Sequence, residues 1–304
     1  MTAETIPDLD PAQLERMAQA LEGSGRYRVL RRLEPLQSKP VADGVAPRLG
    51  MILDLETTGV DPVRDEIIEI AMVPFTYGPD GEVYEIREPF QALRQPSRPI
   101  SAEITRITGI DDAMVAGKTI DPKAVADFIA PAAIVIAHNA GFDRKFAERF
   151  CESFSAKAWA CSMREVAWAE EGFEGVKLAY LAASCGYFYD RHRATSDCEA
   201  TLELLRRRLA TGRTALDHLL EAARRPSWRI WAENSPFDLK DLLKARGYRW
   251  NGEVNGLPKS WYIDVAEDER EAELTFLRTE IYRAPDFEPL MKRITAFERH
   301  SGRY

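Results

Sequence analysis

The sequence predicts a mixed α/β sheet covered by helices, followed by a second, smaller α/β module. Three observations carry this expectation. From Gly50, three segments, MILDLETTG, EIIEIAMVPF and EVYEIREPFQAL, follow one another with short connections, as antiparallel strands do. Beyond residue 100, strand-like apolar segments alternate with helical periodicity, which predicts strands covered by helices. Beyond about residue 224 the composition shifts. Arg224 to Lys259 holds eight basic and four acidic residues, and Trp228, Trp231, Trp250 and Trp261 lie in or just after it.

The elements are justified in order. Leu14, Met17, Ala18 and Leu21 recur at helical spacing behind an Asp-Pro start, so residues 9–22 read as a short amphipathic helix. RYRVLRRL at 26–33 has strand character, and the Pro- and Gly-bearing run up to Gly50 reads as a linker. Residues 1–48 are thus expected to form an arm packed on the main body. SAEITRITG and DPKAVADFIA read as helices, the second opening with Asp-Pro. AAIVIAHN is a buried strand. FDRKFAERFC is a helix with Phe142, Phe146 and Phe150 four apart. AWACS is a further strand, and KLAYLAASCG and ATSDCEATLELLRRRLA are helices. In the C-terminal module, WRIWAE, DLKDLLKARG, SWYIDV and EAELTFLRTEIYR read as strand, helix, strand, helix.

Composition excludes several function classes. With 45 % hydrophobic and 30 % charged residues among 304, the chain is globular rather than disordered. Its longest apolar run is nine residues, Ile129 to Ala137, and includes Pro131. A membrane span needs about 20, so no membrane role is expected. The first twenty residues carry acidic groups and no apolar core of a secretory signal. Cys151, Cys161, Cys185 and Cys198 form no C-x-x-C pair, so a cytoplasmic setting is expected. A net charge of −8 argues against a passive nucleic-acid coat, but not against an enzyme whose metal ligands are themselves acidic.

Three polar constellations stand out. Asp54-Leu55-Glu56 ends the first core strand, and side chains two apart on a strand share a face. Two carboxylates so placed repel each other, and a hard divalent cation with oxygen ligands removes the repulsion. A solvated strand end would carry the same pair without a cation. The pair continues as Thr57-Thr58-Gly59, and a glycine there allows close backbone approach to a ligand. The second constellation, His138-Asn139-Ala140-Gly141-Phe142-Asp143, joins a strand end to a helix start. If the two strands are neighbours, Asp143 faces Asp54. Asn139 or Asp143 as a helix cap is the plainer alternative. The third is His192 with Asp197 opening a helix, where an aspartate also suits the helix dipole without further function.

The order of these pieces resembles the DEDDh family of 3′→5′ exonucleases, which includes the proofreading epsilon subunit of bacterial DNA polymerase III, ribonuclease T and oligoribonuclease. Asp54 and Glu56 in DLETTG, Asp143 in HNAGFD, and His192 and Asp197 in HRATSDCEAT occupy all five signature positions. ITGI at 107–110 is similar to a short family stretch between the first two motifs. The resemblance implies a ribonuclease H-like fold and two-metal hydrolysis. Asp54, Glu56, Asp143 and Asp197 would hold two divalent cations, Mg²⁺ or Mn²⁺, that stabilise the attacking and leaving oxygens. His192 would take the proton from the attacking water, work that suits an imidazole. Thr57, Thr58, Gly59, Asn139 and Phe142 would contact the terminal nucleotide.

The implied partner is a nucleic acid with a free 3′ end. DNA is the leading substrate. An exoribonuclease trimming RNA is the alternative, and a non-catalytic nucleic-acid-binding protein on the same fold is a rival of another class. Association with a polymerase is compatible with the family, but the C-terminal module does not resemble the epsilon subunit's polymerase-binding tail. The expected division is an arm and linker at 1–48, an exonuclease domain at 49–212, and a connecting helix with an accessory domain at 213–304. Because the motifs end at Asp197, chemistry is not expected to require residues beyond about 224. In the module, KARGYRWNGEVNGLPKSWY suits phosphate contacts with base stacking. The same tryptophans also suit a small hydrophobic core.

Overall fold

A computed structural model describes residues 10–252 and 256–303. Helix α1 (Pro11–Gly23) is capped by Asp10. The Asp10 carboxylate accepts from the Gln13 N–H at 2.7 Å, while the Gln13 amide oxygen accepts from the Asp10 N–H at 2.9 Å. Leu9, where the sequence pattern begins, lies outside the described residues. The arm meets the main body through only part of its length. Leu14, Met17 and Leu21 remain 52, 53 and 42 % exposed, and attachment falls to the residues after the helix. Strand β1 (Arg31–Arg32) pairs in parallel with residues 187–188, and the Lys39 N–H donates to the Tyr84 carbonyl. The expected strand at 26–33 shrinks to two residues because its partner is that short.

The main sheet begins with β2 (Arg48–Thr57) and β3 (Ile67–Tyr77), an antiparallel pair running from Arg48↔Tyr77 to Glu56↔Glu69. The third expected strand is two: β4 (Val83–Ile86) and β5 (Phe90–Leu93) both pair antiparallel with β3. The break falls at Arg87–Pro89, where Pro89 has no N–H to offer a ladder. Helices α2 (Ala102–Thr108), α3 (Asp112–Val115) and α4 (Pro122–Ile129) follow, with side-chain caps from Ser101, Asp111 and Asp121. ITGI forms the end of α2: Gly109 takes the left-handed cap (φ 70°) and Ile110 is buried.

Strand β6 (Ile134–Ala137) lies parallel beside β2, helix α5 (Ala140–Phe150) follows it, and β7 (Trp159–Cys161) extends the parallel edge. The order is β4-β3-β2-β6-β7, with β5 also paired to β3, the expected mixed sheet covered by helices. Helices α6 (Leu178–Ser184), α7 (Ala194–Arg206) and α8 (Ala215–Arg224) complete the layer; β8 (Tyr187–Phe188) is the partner of β1. Strand parity sorts the core. Met51, Leu53 and Leu55 join Phe146, Phe154 and Trp159 on one face; Ile52 joins Leu181, Cys198 and Leu202 on the other. Asp54 and Glu56 share the parity of Ile52, which directs them toward α7.

The C-terminal sheet is antiparallel, in the order β10-β11-β9-β12, from β9 (Ser227–Ala232), β10 (Arg249–Trp250), β11 (Trp261–Ala266) and β12 (Met291–Ile294). Its helices are α9 (Lys240–Ala245) and α10 (Arg270–Phe276), the latter continued by a π turn at Leu277–Ile281. Strand β12 was not expected from the sequence. Ile230, Ala232 and Val265 form its core with Leu243, Leu274 and Ile281. Trp231 is buried and Trp228 and Trp261 are half-buried, whereas Trp250 is 53 % exposed. Residues 253–255 of the basic-aromatic stretch lie outside the described residues.

The end of the chain returns to the main body. Arg144, fully buried on α5, donates to the carbonyls of Ala296, Phe297 and Arg299 and pairs with Glu148 at 2.7 Å. The Trp159 N–H donates to the Ala296 carbonyl, and Arg299 pairs with Glu165. Residues 296–299 therefore belong to the packing of the catalytic half: removing them would strand a buried guanidinium on the helix that carries Asp143.

Candidate active site

The end of β2, the start of α5 and the start of α7 converge. Asp54, Glu56 and Asp197 each offer an oxygen, and these atoms all lie within 4.8 Å of one another. Asp143 sits on the first turns of α5, buried beside Asp54 and outside that closest group. The arrangement follows from the sheet. Gly50–Ile52 of β2 and Ile134–Ile136 of β6 are in register as parallel neighbours, so the chain leaving β6 enters α5 next to the end of β2.

Burial and mutual repulsion make protonation costly to lose. Burial, then Asp143, Asp197, Glu56 and Glu69, holds Asp54 well above the usual carboxylate range. Glu56 is pushed up to about 8 by burial, with Asp197, Glu69 and Asp143 adding to the effect and Arg193 opposing it. Asp143 is pushed up to about 8, again chiefly by burial, although the Leu55 N–H donates to it. Asp197 is raised by burial against the opposing Tyr189 hydroxyl and His192. Four carboxylates that resist ionisation together are suited to cations that supply the missing charge.

A second observation fits a cation at this place. The Tyr189 hydroxyl donates to Oδ1 of Asp197 at 3.0 Å, while Oδ2 is buried without a hydrogen-bond partner. Arg193 Nε and Thr195 Oγ1, within the same five residues, are also buried and unpartnered. A buried, unpartnered oxygen on a carboxylate that clusters with two others suits a hard divalent ion.

The other expected site residues are placed as follows. His192 is exposed in the loop before α7, with φ 61°, and its backbone N–H donates to the Asp197 carboxylate. His138 is tied down. Its Nε2 meets the Val176 carbonyl at 2.8 Å and its Nδ1 meets the Ser162 hydroxyl at 2.9 Å. The carbonyl can only accept, so Nε2 carries the proton, and burial pushes this imidazole down to about 4. Asn139 occupies the cap position of α5 in the left-handed region, φ 88°, but its side chain does not cap the helix. The capping alternative therefore does not hold for Asn139. Phe142 is half-buried against Phe146, with ring centroids 4.9 Å apart.

The residues after Glu56 are committed to a turn. The Thr57 hydroxyl donates to the Gly59 carbonyl at 2.6 Å. The Thr58 hydroxyl accepts from the Glu66 N–H at 3.0 Å and donates to Asp65 at 3.3 Å. A Cβ on Gly59 would meet the Asp65 carboxylate at 2.4 Å. The Asp65 side chain thus leaves no room for a larger residue at Gly59.

The sequence pattern did not point to Glu69 or Tyr189. Glu69 is fully buried on β3, opposite Glu56, and accepts from Gln91 at 2.6 Å, Arg193 at 3.3 Å and the Ala194 N–H at 3.2 Å. A lone acid inside the wholly buried strand IIEIAMVPFTY was the available signal. Tyr189 had none, because its role arises only where its loop folds over α7.

The chain is similar to known exonucleases. The Exonuclease family model matches residues 51–205, half of the chain. DNA polymerase III PolC-type of Caldanaerobacter subterraneus subsp. tengcongensis is 27 % identical over 211 residues, covering 64 % of this chain and 15 % of that protein. The 3'-5' exonuclease DinG of Bacillus subtilis is 32 % identical over 161 residues, 50 % of this chain and 16 % of that protein. The chain thus spans about a sixth of the length of these curated relatives. Among solved structures, Exonuclease X in complex with 5' overhanging duplex DNA aligns with TM-score 0.42 and 27 % identity, over 57 % of this chain and 99 % of that one. E. coli Exonuclease I in complex with a dA16 oligonucleotide aligns with TM-score 0.49 and 15 % identity, over 77 % and 71 %.

Proposed function

The chain belongs to the exonuclease family, and from that premise we propose that it is a metal-dependent exonuclease that hydrolyses phosphodiester bonds from the 3′ end of DNA. One observation carries the reading. Asp54, Glu56 and Asp197 gather three carboxylate oxygens within 4.8 Å, and one of the two oxygens of Asp197 is buried without a partner. Relatives named as a DNA polymerase III and a 3'-5' exonuclease favour DNA and this polarity.

Asp54, Glu56, Asp143 and Asp197 would hold two divalent cations, Mg²⁺ or Mn²⁺. When bound, such ions activate water and neutralise charge developing on a phosphodiester. The protein's own part is positioning. Strand β2 fixes Asp54 and Glu56 on one face. Tyr189 fixes one oxygen of Asp197, and the other is buried without a partner. His192, exposed at the mouth of the site, is the base that takes the proton from the attacking water. His138 cannot share that work, since its protonated nitrogen is held by Val176 and its free nitrogen by Ser162. Asn139 and Phe142 face the terminal nucleotide from the start of α5.

The test is digestion of matched 5′-labelled DNA and RNA strands in Mg²⁺, Mn²⁺ or EDTA. A ladder shortening one nucleotide at a time from the 3′ end, on DNA and only with metal, is expected. Release of the 5′ label as a mononucleotide would overturn the polarity. Faster digestion of RNA would make the enzyme an exoribonuclease.

A further inference from the structure

We propose that the cleft between the catalytic half and the open face of the C-terminal sheet is the path of the single strand whose end is trimmed. This deepens the exonuclease reading and rests on it. The cleft has a volume of about 670 Å³. One wall is Val60, in the turn after Glu56, with Asn139, Phe142 and Lys145 along the first turns of α5. The other wall is the sheet face opposite α9 and α10, represented by Arg229, Arg249 and Asp264. The carboxylate group is not part of this lining. The cleft lies beside it and meets it at Phe142, the neighbour of Asp143. A strand lying in the cleft would present its end past that ring.

Charge selects a polyanion. The chain as a whole carries −8, yet five lysine and arginine side chains line the cleft against three carboxylates. Lys145 and Arg164 are exposed and form no ion pair among the described residues. On the sheet face Asp264 serves two guanidiniums, Arg229 at 2.7 Å and Arg249 at 2.8 Å, so one positive charge is left over. Both guanidiniums lie over the Tyr262 ring, 4.6 and 4.9 Å from its centroid. Arg249 is bound to Asp264 through Nη2 alone, which leaves donors for a phosphate. Phe142 adds a ring face of the kind on which bases stack without sequence preference.

The register explains why this face, and not the whole basic stretch, is involved. Arg249 pairs with Tyr262, and Asp264 with Arg229, so these side chains share the face turned to the catalytic half. Trp250 has the opposite parity and stacks edge-on against Trp261 at 5.7 Å. Arg246 is used inside the module, paired with buried Glu273 at 2.8 Å and lying over Phe276. It is not a phosphate ligand here. The walls are held together by Arg299, which bonds Glu165 and the carbonyls of Ala222 and Arg225.

The experiment measures binding of a fluorescent 16-nucleotide single strand to the full chain in EDTA, which stops metal-dependent cleavage, across a salt series. Lys145→Glu with Arg164→Glu should weaken binding at least tenfold and flatten the salt slope by about 0.7 for each phosphate no longer neutralised. Arg249→Ala should act in the same direction, and Arg249→Lys should restore most of the slope. Arg106→Glu with Lys123→Glu, the same charge change on exposed positions outside the cleft, is the control. Unchanged affinity and slope in the cleft variants, with wild-type melting temperature, would overturn the proposal. So would an equal loss in the control pair, which would mean a general charge effect. Wild-type digestion of the same strand in Mg²⁺ reports separately on the exonuclease reading. Absence of cleavage with cleft-dependent binding would sink that reading alone.

Discussion

Glu69 stands directly across the β2–β3 ladder from Glu56, and the two carboxylates are used in opposite ways. Glu56 is partly exposed and joins the group of Asp54 and Asp197. Glu69 is fully buried and spends its oxygens on Gln91, Arg193 and the first N–H of α7. It positions the helix that carries Asp197. Glu69→Gln replaces an acceptor with an amide nitrogen facing N–H donors, a loss of about 1–3 kcal/mol in a denaturant titration. Exonuclease activity should fall at least tenfold, with the metal-induced melting shift reduced. A variant that keeps wild-type stability and full activity would show that the start of α7 needs no such anchor.

Metal should stabilise the native state, because the gathered carboxylates are offered only there. At a concentration 100 times its dissociation constant, a single bound ion adds about 2.7 kcal/mol. Mg²⁺ or Mn²⁺ should raise the melting temperature, and Asp54→Asn or Asp143→Asn should remove most of the shift together with cleavage. Undiminished cleavage in excess EDTA would defeat the two-metal mechanism.

The pH dependence of the metal-free protein has a definite sign. Glu56 and Asp143 are pushed up to about 8 from ordinary values near 4, so between these limits the native state holds protons that the unfolded chain has released. Stability therefore falls as pH rises from about 4 toward 8 and beyond. Thermal melts in EDTA from pH 5 to 9 should show this decline, and Mg²⁺ should flatten it. A metal-free melting temperature that climbs across the same range would contradict the buried, protonated site.

The two histidines near the site should separate cleanly. His192→Ala should cut the rate by about 10²–10⁴ while metal still shifts the melting temperature. His138→Ala removes a buried ring bonded at both nitrogens, and its main effect should be a stability loss of about 1–3 kcal/mol. If His138→Ala is catalytically crippling and His192→Ala is harmless, the base has been assigned to the wrong imidazole.

The sequence by itself determined most of the strands and helices around the site, though not the split of β4 from β5 or strand β12, and the placing of Asp54 and Glu56 on one face. Both rest on local periodicity: alternate residues on a strand share a face whatever lies around them. It also specified the three acidic motifs by residue type and spacing. Only the tertiary structure decided that β6 lies beside β2 and so brings Asp143 to Asp54. The antiparallel register set Glu69 against Glu56, and the fold of the 189–193 loop gave Tyr189 to Asp197. The packing of Asp65 against Gly59 was likewise set by the tertiary structure. The basic stretch of the C-terminal module was legible as composition. Strand parity and the return of residues 296–299 to Arg144 then decided that Arg249 faces the cleft while Arg246 is locked to Glu273. Such contacts join residues far apart in sequence, and their geometry is fixed by packing, which no local pattern encodes.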